Sequence, residues 1–337
     1  MLPIAVDAMG GDAAPGEIVA GARRAADELG VPVVLVGDPE RIGDPAGLEV
    51  LPASEVIEMG DDPASSVRLK KDASLNVAAR AVRDGLASAM VSAGNTGAAM
   101  GSALLRMGRI GGVARPAIAT PIPRPVLGGS TTLLDAGANA DCQAAWLVQF
   151  AQMGVVYARH RYAIETPTVA LLSIGEEKSK GNELVKEVHA LLAADEGGVL
   201  GAAGGRFVGN VEGRDILTDA ADVVVCDGFT GNVALKTLEG GMKTLVEALF
   251  GVFGATPETQ EASEVLVPHL LPLYAALDPN NTGGALLLGV DGVCVISHGS
   301  SGATAMFNGI KVADEMVRGG LVDELRRAVQ STTTDPQ

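Results

Sequence analysis

Short apolar runs recur along this chain, and most end on small or polar residues. Residues 4–7, 33–36, 89–92, 131–135, 169–174, 223–227 and 293–297 follow this pattern and are predicted as buried strands. Between many of them apolar positions return at helical spacing, as in 17–29, 142–157, 182–194 and 232–250. Strand and helix alternate, so the predicted class is α/β: a largely parallel, doubly wound sheet with helices on both faces. Ligands of such sheets bind outside the carboxyl ends of the strands. Six of the predicted ends carry glycine-rich loops: 7–12, 92–97, 135–139, 175–178, 227–232 and 298–302.

The loop at 91–97, Val-Ser-Ala-Gly-Asn-Thr-Gly, is the most pointed of these. Gly94 and Gly97 let a ligand approach the backbone, and Ser92, Asn95 and Thr96 add short polar side chains. Ala98, Ala99, Met100, Leu104 and Leu105 then mark a helix. Free N–H groups and the dipole at such a start favour a phosphate or carboxylate. A plain strand-to-helix turn capped by Asn95 or Thr96 fits the same residues.

One stretch breaks the rhythm. Leu238, Met242, Leu245, Val246, Leu249, Val252 and Phe253 are helically spaced, a turn follows at 254–257, and 265–277 is apolar, uncharged and broken by Pro268 and Pro272. We expect a projecting helical hairpin at about 238–277, packing a dimer interface or touching a membrane surface. The rest of 1–330 is expected as one α/β domain, of a single lobe or two, with a disordered tail at 331–337.

Composition narrows the partners. A net charge of −16 and 3% aromatic residues argue against nucleic acid. Yet 63–124 holds nine basic residues against Asp72 and Asp84 alone. Solvated helix faces and a landing site for an acidic partner both fit that excess. Cys142, Cys226 and Cys294 form no CxxC pair, and the start of the chain has no signal-peptide layout, so a cytoplasmic protein without disulfides is expected. No apolar run is long enough to span a bilayer.

Familiar catalytic signatures are missing: no GxGxxG, GxxxxGK[ST] or GxSxG occurs, and His160, His189, His269 and His298 show no metal-ligand spacing. No metal or other cofactor is expected. What remains is a set of anion-binding and hydrogen-bonding groups. Lys178 and Lys180 follow a strand, Asn139 and Asn232 lie beside glycines, and His298, Ser300 and Ser301 follow the last strand. With Asp7, Gly10 and Gly11 these could hold a phosphoryl group. Each also has a plainer reading, as solvated charge, helix cap or turn anchor.

Taken in order, the loops resemble those of the bacterial phosphate acyltransferases of phospholipid synthesis, the acyl-[acyl carrier protein]:phosphate acyltransferases. The resemblance runs from Ile4 to about Ala328 and is most specific at 181–187 and 221–229. Two positions depart: Ala13 stands where the family usually has histidine, and Leu286 where it usually has proline. The resemblance implies an isocitrate/isopropylmalate dehydrogenase-like fold, and a cytoplasmic homodimer at the inner face of the cell membrane. It implies transfer of a fatty acyl group from acyl carrier protein to inorganic phosphate. A membrane glycerol-3-phosphate acyltransferase would then consume the acyl phosphate.

Phosphate is already partly dianionic near neutral pH, so such an enzyme needs to aim it and stabilise an oxyanion rather than supply a nucleophile. On this reading Gly94–Gly97 and Lys178 hold phosphate, and Asn139 and Asn232 orient the thioester. His298 donates to the oxyanion or the leaving thiolate. Arg68, Lys70, Lys71, Arg106 and Arg109 would dock the acidic carrier. Two alternatives remain at this stage: a phosphotransacetylase-like enzyme using acyl-coenzyme A, and a non-catalytic adaptor between fatty-acid synthesis and the membrane.

Overall fold

The computed structural model describes residues 1–194 and 198–330, so the tail expected at 331–337 lies outside the described residues. Among the described residues eleven strands form one sheet: β1 (Ile4–Asp7), β2 (Val33–Gly37), β3 (Glu49–Pro52), β4 (Ala89–Ser92), β5 (Ala117–Pro123), β6 (Ser130–Leu134), β7 (Thr168–Leu172), β8 (Arg206–Val211), β9 (Val223–Val225), β10 (Ala285–Leu288) and β11 (Val293–Ile296). Their order is β3-β2-β1-β4-β11-β10-β5-β6-β9-β7-β8. Seven strand pairings are parallel; the three antiparallel ones, β11–β10, β10–β5 and β5–β6, lie together in the middle.

That central reversal sets the geometry of everything functional. β1, β4 and β11 run one way; β6, β9 and β7 run the other. The six glycine-rich loops therefore split into two sets of three, at opposite edges of the sheet.

Alternating side chains build a core on each face. One face is covered by helices Gly16–Leu29, Ala144–Tyr162, Glu183–Ala193, Ala303–Gly319 and Leu321–Gln330, over Val6, Val91, Leu134, Val225 and Val295. The other lies under Pro63–Leu69, Ser74–Arg83 and Thr96–Ser102, over Ala5, Met90, Ile118, Leu287 and Cys294. Past the reversal, the start of helix Gly228–Phe253 covers Ile122, Leu133 and Val224.

Four strands go beyond the sequence expectation. β3 and β8 are edge strands with exposed and charged positions, β5 contains Pro121 and Pro123, and β10 is a four-residue apolar run. None of them carries a clean alternating or long apolar signal. The hairpin is present and starts earlier than expected: helices Gly228–Phe253 and Pro257–Leu277. The second runs through Pro268 and Pro272 rather than breaking there. Both prolines are exposed and one turn apart, so the backbone groups they leave unpaired face solvent. No residue of that helix is buried.

Candidate active site

The loops after β1, β4 and β11 emerge side by side because these strands are parallel neighbours. Asp7 ends β1 only 1% exposed. Its carboxylate accepts from Ser92 Oγ at 2.7 Å and from the Met9 N–H at 3.2 Å. Ser92 Oγ accepts from the Gly94 N–H at 2.9 Å, so one buried network ties two loops together. Gly10 is required by this closeness: a Cβ there would stand 2.4 Å from Asp7 Oδ2 and 2.7 Å from the Gly94 nitrogen. Burial raises the Asp7 pKa above its usual range, against the opposing hydrogen bonds from Ser74, Ser92 and the Met9 and Gly10 backbones.

The third loop closes on the first. The Asp12 N–H donates to the Gly299 carbonyl at 2.8 Å, and Gly11 packs against that same carbonyl. His298 Nδ1 and Ser300 Oγ are 2.8 Å apart on the exposed rim. Ser301 is buried, and its hydroxyl has no partner among the described residues.

Asn95 caps the helix it precedes. Its Oδ1 accepts from the Ala98 N–H at 3.0 Å, and its Nδ2 donates to the Met59 and Asp61 carbonyls at 3.0 and 3.3 Å. The side chain is fully engaged by protein, leaving the N–H groups of Thr96 and Gly97 as open donors at this helix start.

From Gly97 the helix continues into a π turn at Ala103–Met107 and roofs a groove over the central strands. The cavity is about 340 Å³ and is lined by Val67, Gly97, Met100, Leu104, Asn139 and Leu287, with Arg68 and Arg115 among its polar groups. The Arg115 guanidinium stacks 4.9 Å from the Trp146 ring centroid.

Asn139 belongs to the second set of loops. Asp135, fully buried after β6, accepts five hydrogen bonds: from the N–H groups of Ile118, Gly137, Ala138 and Asn139, and from Asn139 Nδ2, at 2.8–3.1 Å. Asn139 Nδ2 also donates to the Pro116 carbonyl, so its donors are spent on holding the loop. The Gly228 N–H donates to the Asn139 carbonyl at 2.7 Å, locking the start of the long helix to this loop. Asn232 lies exposed against Gly137, and Lys178 and Lys180 are exposed after β7 at the same edge.

The sequence candidates therefore form two clusters. Asp7, Gly10, Gly11, Ser92, Gly94, Asn95, Thr96, Gly97, His298, Ser300 and Ser301 make one; Asn139, Asn232, Lys178 and Lys180 make the other. Six strand spacings, roughly 29 Å, separate β4 from β7. The expectation that Lys178 shares a phosphate with Gly94–Gly97 is corrected by the reversed strand direction. The groove is what joins the clusters, with Gly97 and Asn139 both in its wall.

The basic candidates also divide. Lys70 Nζ is held by Asp61 Oδ2 at 2.6 Å and by the Val56 carbonyl at 2.7 Å. Arg106 donates to Asn76 Oδ1 and to the Val67 carbonyl, both at 3.1 Å. These two act as internal struts. Arg68, Lys71 and Arg109 are exposed, and Arg109 donates to the Ala114 carbonyl. Arg115, not singled out for the site from sequence, joins Arg68 at the groove; its only sequence signal is membership in the basic stretch.

Burial pushes the Cys142 thiol up to about 11, Cys226 well above its ordinary value and Cys294 up to about 12, so all three stay protonated near neutral pH. Among the described residues no group of three or more His, Cys, Asp and Glu could hold a metal ion, and no helix is long and apolar enough to cross a membrane.

Comparison with known proteins adds to this geometry. A family described as Fatty acid synthesis protein matches residues 2–324. The phosphate acyltransferase of Desulfitobacterium hafniense strain Y51 is 46% identical over 341 residues, covering 99% of each chain. That of Nostoc punctiforme is 47% identical over 321 residues, covering 93% of this chain and 92% of its own. Among solved structures, a branched-chain phosphotransacylase from Enterococcus faecalis V583 superposes with a TM-score of 0.59 at 15% identity, covering 94% of this chain and 99% of its own. A 4-hydroxythreonine-4-phosphate dehydrogenase from Klebsiella pneumoniae gives 0.55 at 14% identity, covering 94% and 100%. At such identities these structures speak to the fold alone.

Proposed function

The chain belongs to the phosphate acyltransferase family, and from that premise we propose that it transfers a fatty acyl group from acyl-acyl carrier protein to inorganic phosphate, for phosphatidic acid synthesis. As a member of that family it is an acyltransferase of lipid biosynthesis. A phosphate oxygen attacks the thioester carbonyl carbon, the C–O bond forms, the C–S bond breaks, and the carrier thiolate leaves and takes up a proton. Atoms balance with no covalent enzyme intermediate, which suits a site whose thiols are all protonated.

The observation that carries the reading is the groove. It is walled by aliphatic side chains, passes the helix start at Gly97, and is flanked by Arg68 and Arg115. An acyl chain fits the apolar wall, phosphate fits the helix start, and an acidic carrier fits the arginines. We place phosphate at Gly94–Gly97 beside Asp7, Gly10, Gly11, Ser92, Ser300 and Ser301, with His298 donating to the oxyanion or leaving thiolate. Asn139 shapes the far wall of the groove, and Asn232, Lys178 and Lys180 meet the acyl donor beyond it. Arg68, Lys71, Arg109 and Arg115 dock the carrier, while Lys70 and Arg106 hold that surface in shape.

The hairpin supports a homodimer that works against the inner face of the membrane, where a glycerol-3-phosphate acyltransferase takes the product. Its uncovered apolar residues include Leu245 (69% exposed), Val265 (67%) and Leu271 (53%). The deciding experiment follows acyl phosphate by hydroxylamine trapping from palmitoyl-acyl carrier protein with and without phosphate, with palmitoyl-coenzyme A in parallel. Phosphate-dependent product from the carrier substrate, well above coenzyme A, is expected. Product from coenzyme A alone would assign the enzyme to the coenzyme A reaction instead, and no product from either donor would remove the catalytic reading.

A further inference from the structure

Where β5 turns into β6, on the opposite face from the groove, lies a second cavity of about 260 Å³. Its walls come from three parts of the chain: Arg124 and Ser130 at the turn, Arg161 and Tyr162 at the end of helix Ala144–Tyr162, and Ala276 and Thr282 where the hairpin returns to the sheet. It shares no lining residue with the groove.

The charges in this cavity do not cancel. Arg161 Nη1 pairs with Glu315 Oε2 at 3.0 Å, and its Nη2 donates to the Thr282 carbonyl at 3.1 Å. Arg124 has no ion-pair partner among the described residues. The Nε atoms of Arg124 and Arg161 are both buried without an acceptor. Two guanidinium groups thus face one carboxylate, in a recess that removes part of their hydration. Leaving a buried donor unpaired is costly, and so is an uncompensated buried charge. A tetrahedral oxyanion answers both needs, because guanidinium forks match its oxygens.

We propose that this cavity binds a phosphate monoester, at a site separate from the one where phosphate reacts. The cavity extends past the two arginines along Pro121, Pro123 and Ala276, which leaves room for the organic part of an ester. A lipid headgroup can present the same phosphate monoester chemistry, and vesicles distinguish it from a soluble ester.

The test is calorimetric titration of the full chain with methyl phosphate and glycerol 3-phosphate, repeated on Arg124→Ala, Arg124→Gln and Arg124→Lys, with the thermal midpoint of each variant as a check of folding. One ester site is expected in the wild type. Its Kd should rise about tenfold or more in Arg124→Ala or Arg124→Gln, recover most of its strength in Arg124→Lys, and weaken with added salt. Binding of neither ester to the wild type, or unchanged affinity in a folded neutral variant, overturns the proposal. Vesicles of phosphatidic acid in phosphatidylcholine form the second arm. Arg124-dependent vesicle binding without ester binding moves the site to a lipid headgroup and overturns it too, as does Arg124-dependent binding of inorganic phosphate alone.

Discussion

The sheet body and the hairpin are made from similar proportions of apolar residues but use them in opposite ways. In the body, Val6, Val91, Leu134, Val225 and Val295 are sealed, and even polar residues such as Asp7 and Asp135 are buried with several donors each. In the hairpin, a 21-residue helix buries none of its residues, and Leu245, Phe250, Val265 and Leu271 face outward. Burial is the main force that holds a fold together, so the body is stabilised from within. The hairpin needs a second surface to cover it. Errors in the body should therefore appear as lost stability, and changes in the hairpin as lost assembly.

The largest effect is expected where backbone meets backbone. A Cβ at Gly231 would lie 1.9 Å from the Asp135 carbonyl oxygen. Gly231→Ala should lower unfolding free energy by about 3 kcal/mol in urea denaturation, since neither chain segment has room to yield. A near-neutral result would mean that the second loop cluster is softer than its hydrogen bonds imply.

Next comes Asp7. All its partners donate, so an amide would set an N–H₂ group against a donor. Asp7→Asn should cost about 2 kcal/mol. The sign with pH is opposite to that of a salt-bridged carboxylate. Because the folded pKa is raised, the folded protein keeps a proton that the unfolded chain has released. This group's contribution is fully present below pH 3.8 and falls as pH rises through the elevated value. Urea midpoints measured across that window should show this fall in the wild type and a flatter profile in Asp7→Asn.

A smaller effect is expected on the rim of the groove. Double charge reversal at Arg68 and Lys71 should raise KM for the carrier substrate about tenfold while kcat holds, and the difference should shrink in high salt. The same reversal at Lys70 and Arg106 would instead lower stability, because those two are internal struts. Equal effects from both pairs would dissolve the distinction between docking and support.

The smallest change in stability is expected from the hairpin. Leu245→Ser with Phe250→Ser should shift the unfolding of the body by no more than about 0.5 kcal/mol at low protein concentration. On the proposed homodimer, the same double variant should give monomers in sedimentation velocity. Polar substitution at Leu266, Leu270 and Leu271 separates the two uses of the hairpin: a persistent dimer with weaker liposome binding would assign that stretch to the membrane.

How much was legible in sequence differs between elements for physical reasons. The glycine-rich loops could be read because each needs residues that few other structures tolerate, as Gly10 shows by its contact with Asp7. The buried strands β1, β4, β9 and β11 could be read from their apolar runs. β5, with prolines at 121 and 123, and the edge strands β3 and β8 could not. The hairpin was readable in its apolar spacing but not in its continuity through Pro268 and Pro272.

The chain's own pattern thus determined the α/β class, the glycine loops and the presence of a projecting apolar hairpin. These are local: each follows from periodicity or from steric need within a few residues. Tertiary structure alone decided that strand direction reverses at β10 and β5, because the pairing of β10 with β5 sets Leu286 against Ala119, far apart in sequence, whereas β10–β11 and β5–β6 are local hairpins. That one non-local choice divides the six loops into two clusters and lays a groove between them. It separates Lys178 from Gly94–Gly97 and brings Arg115 beside Arg68.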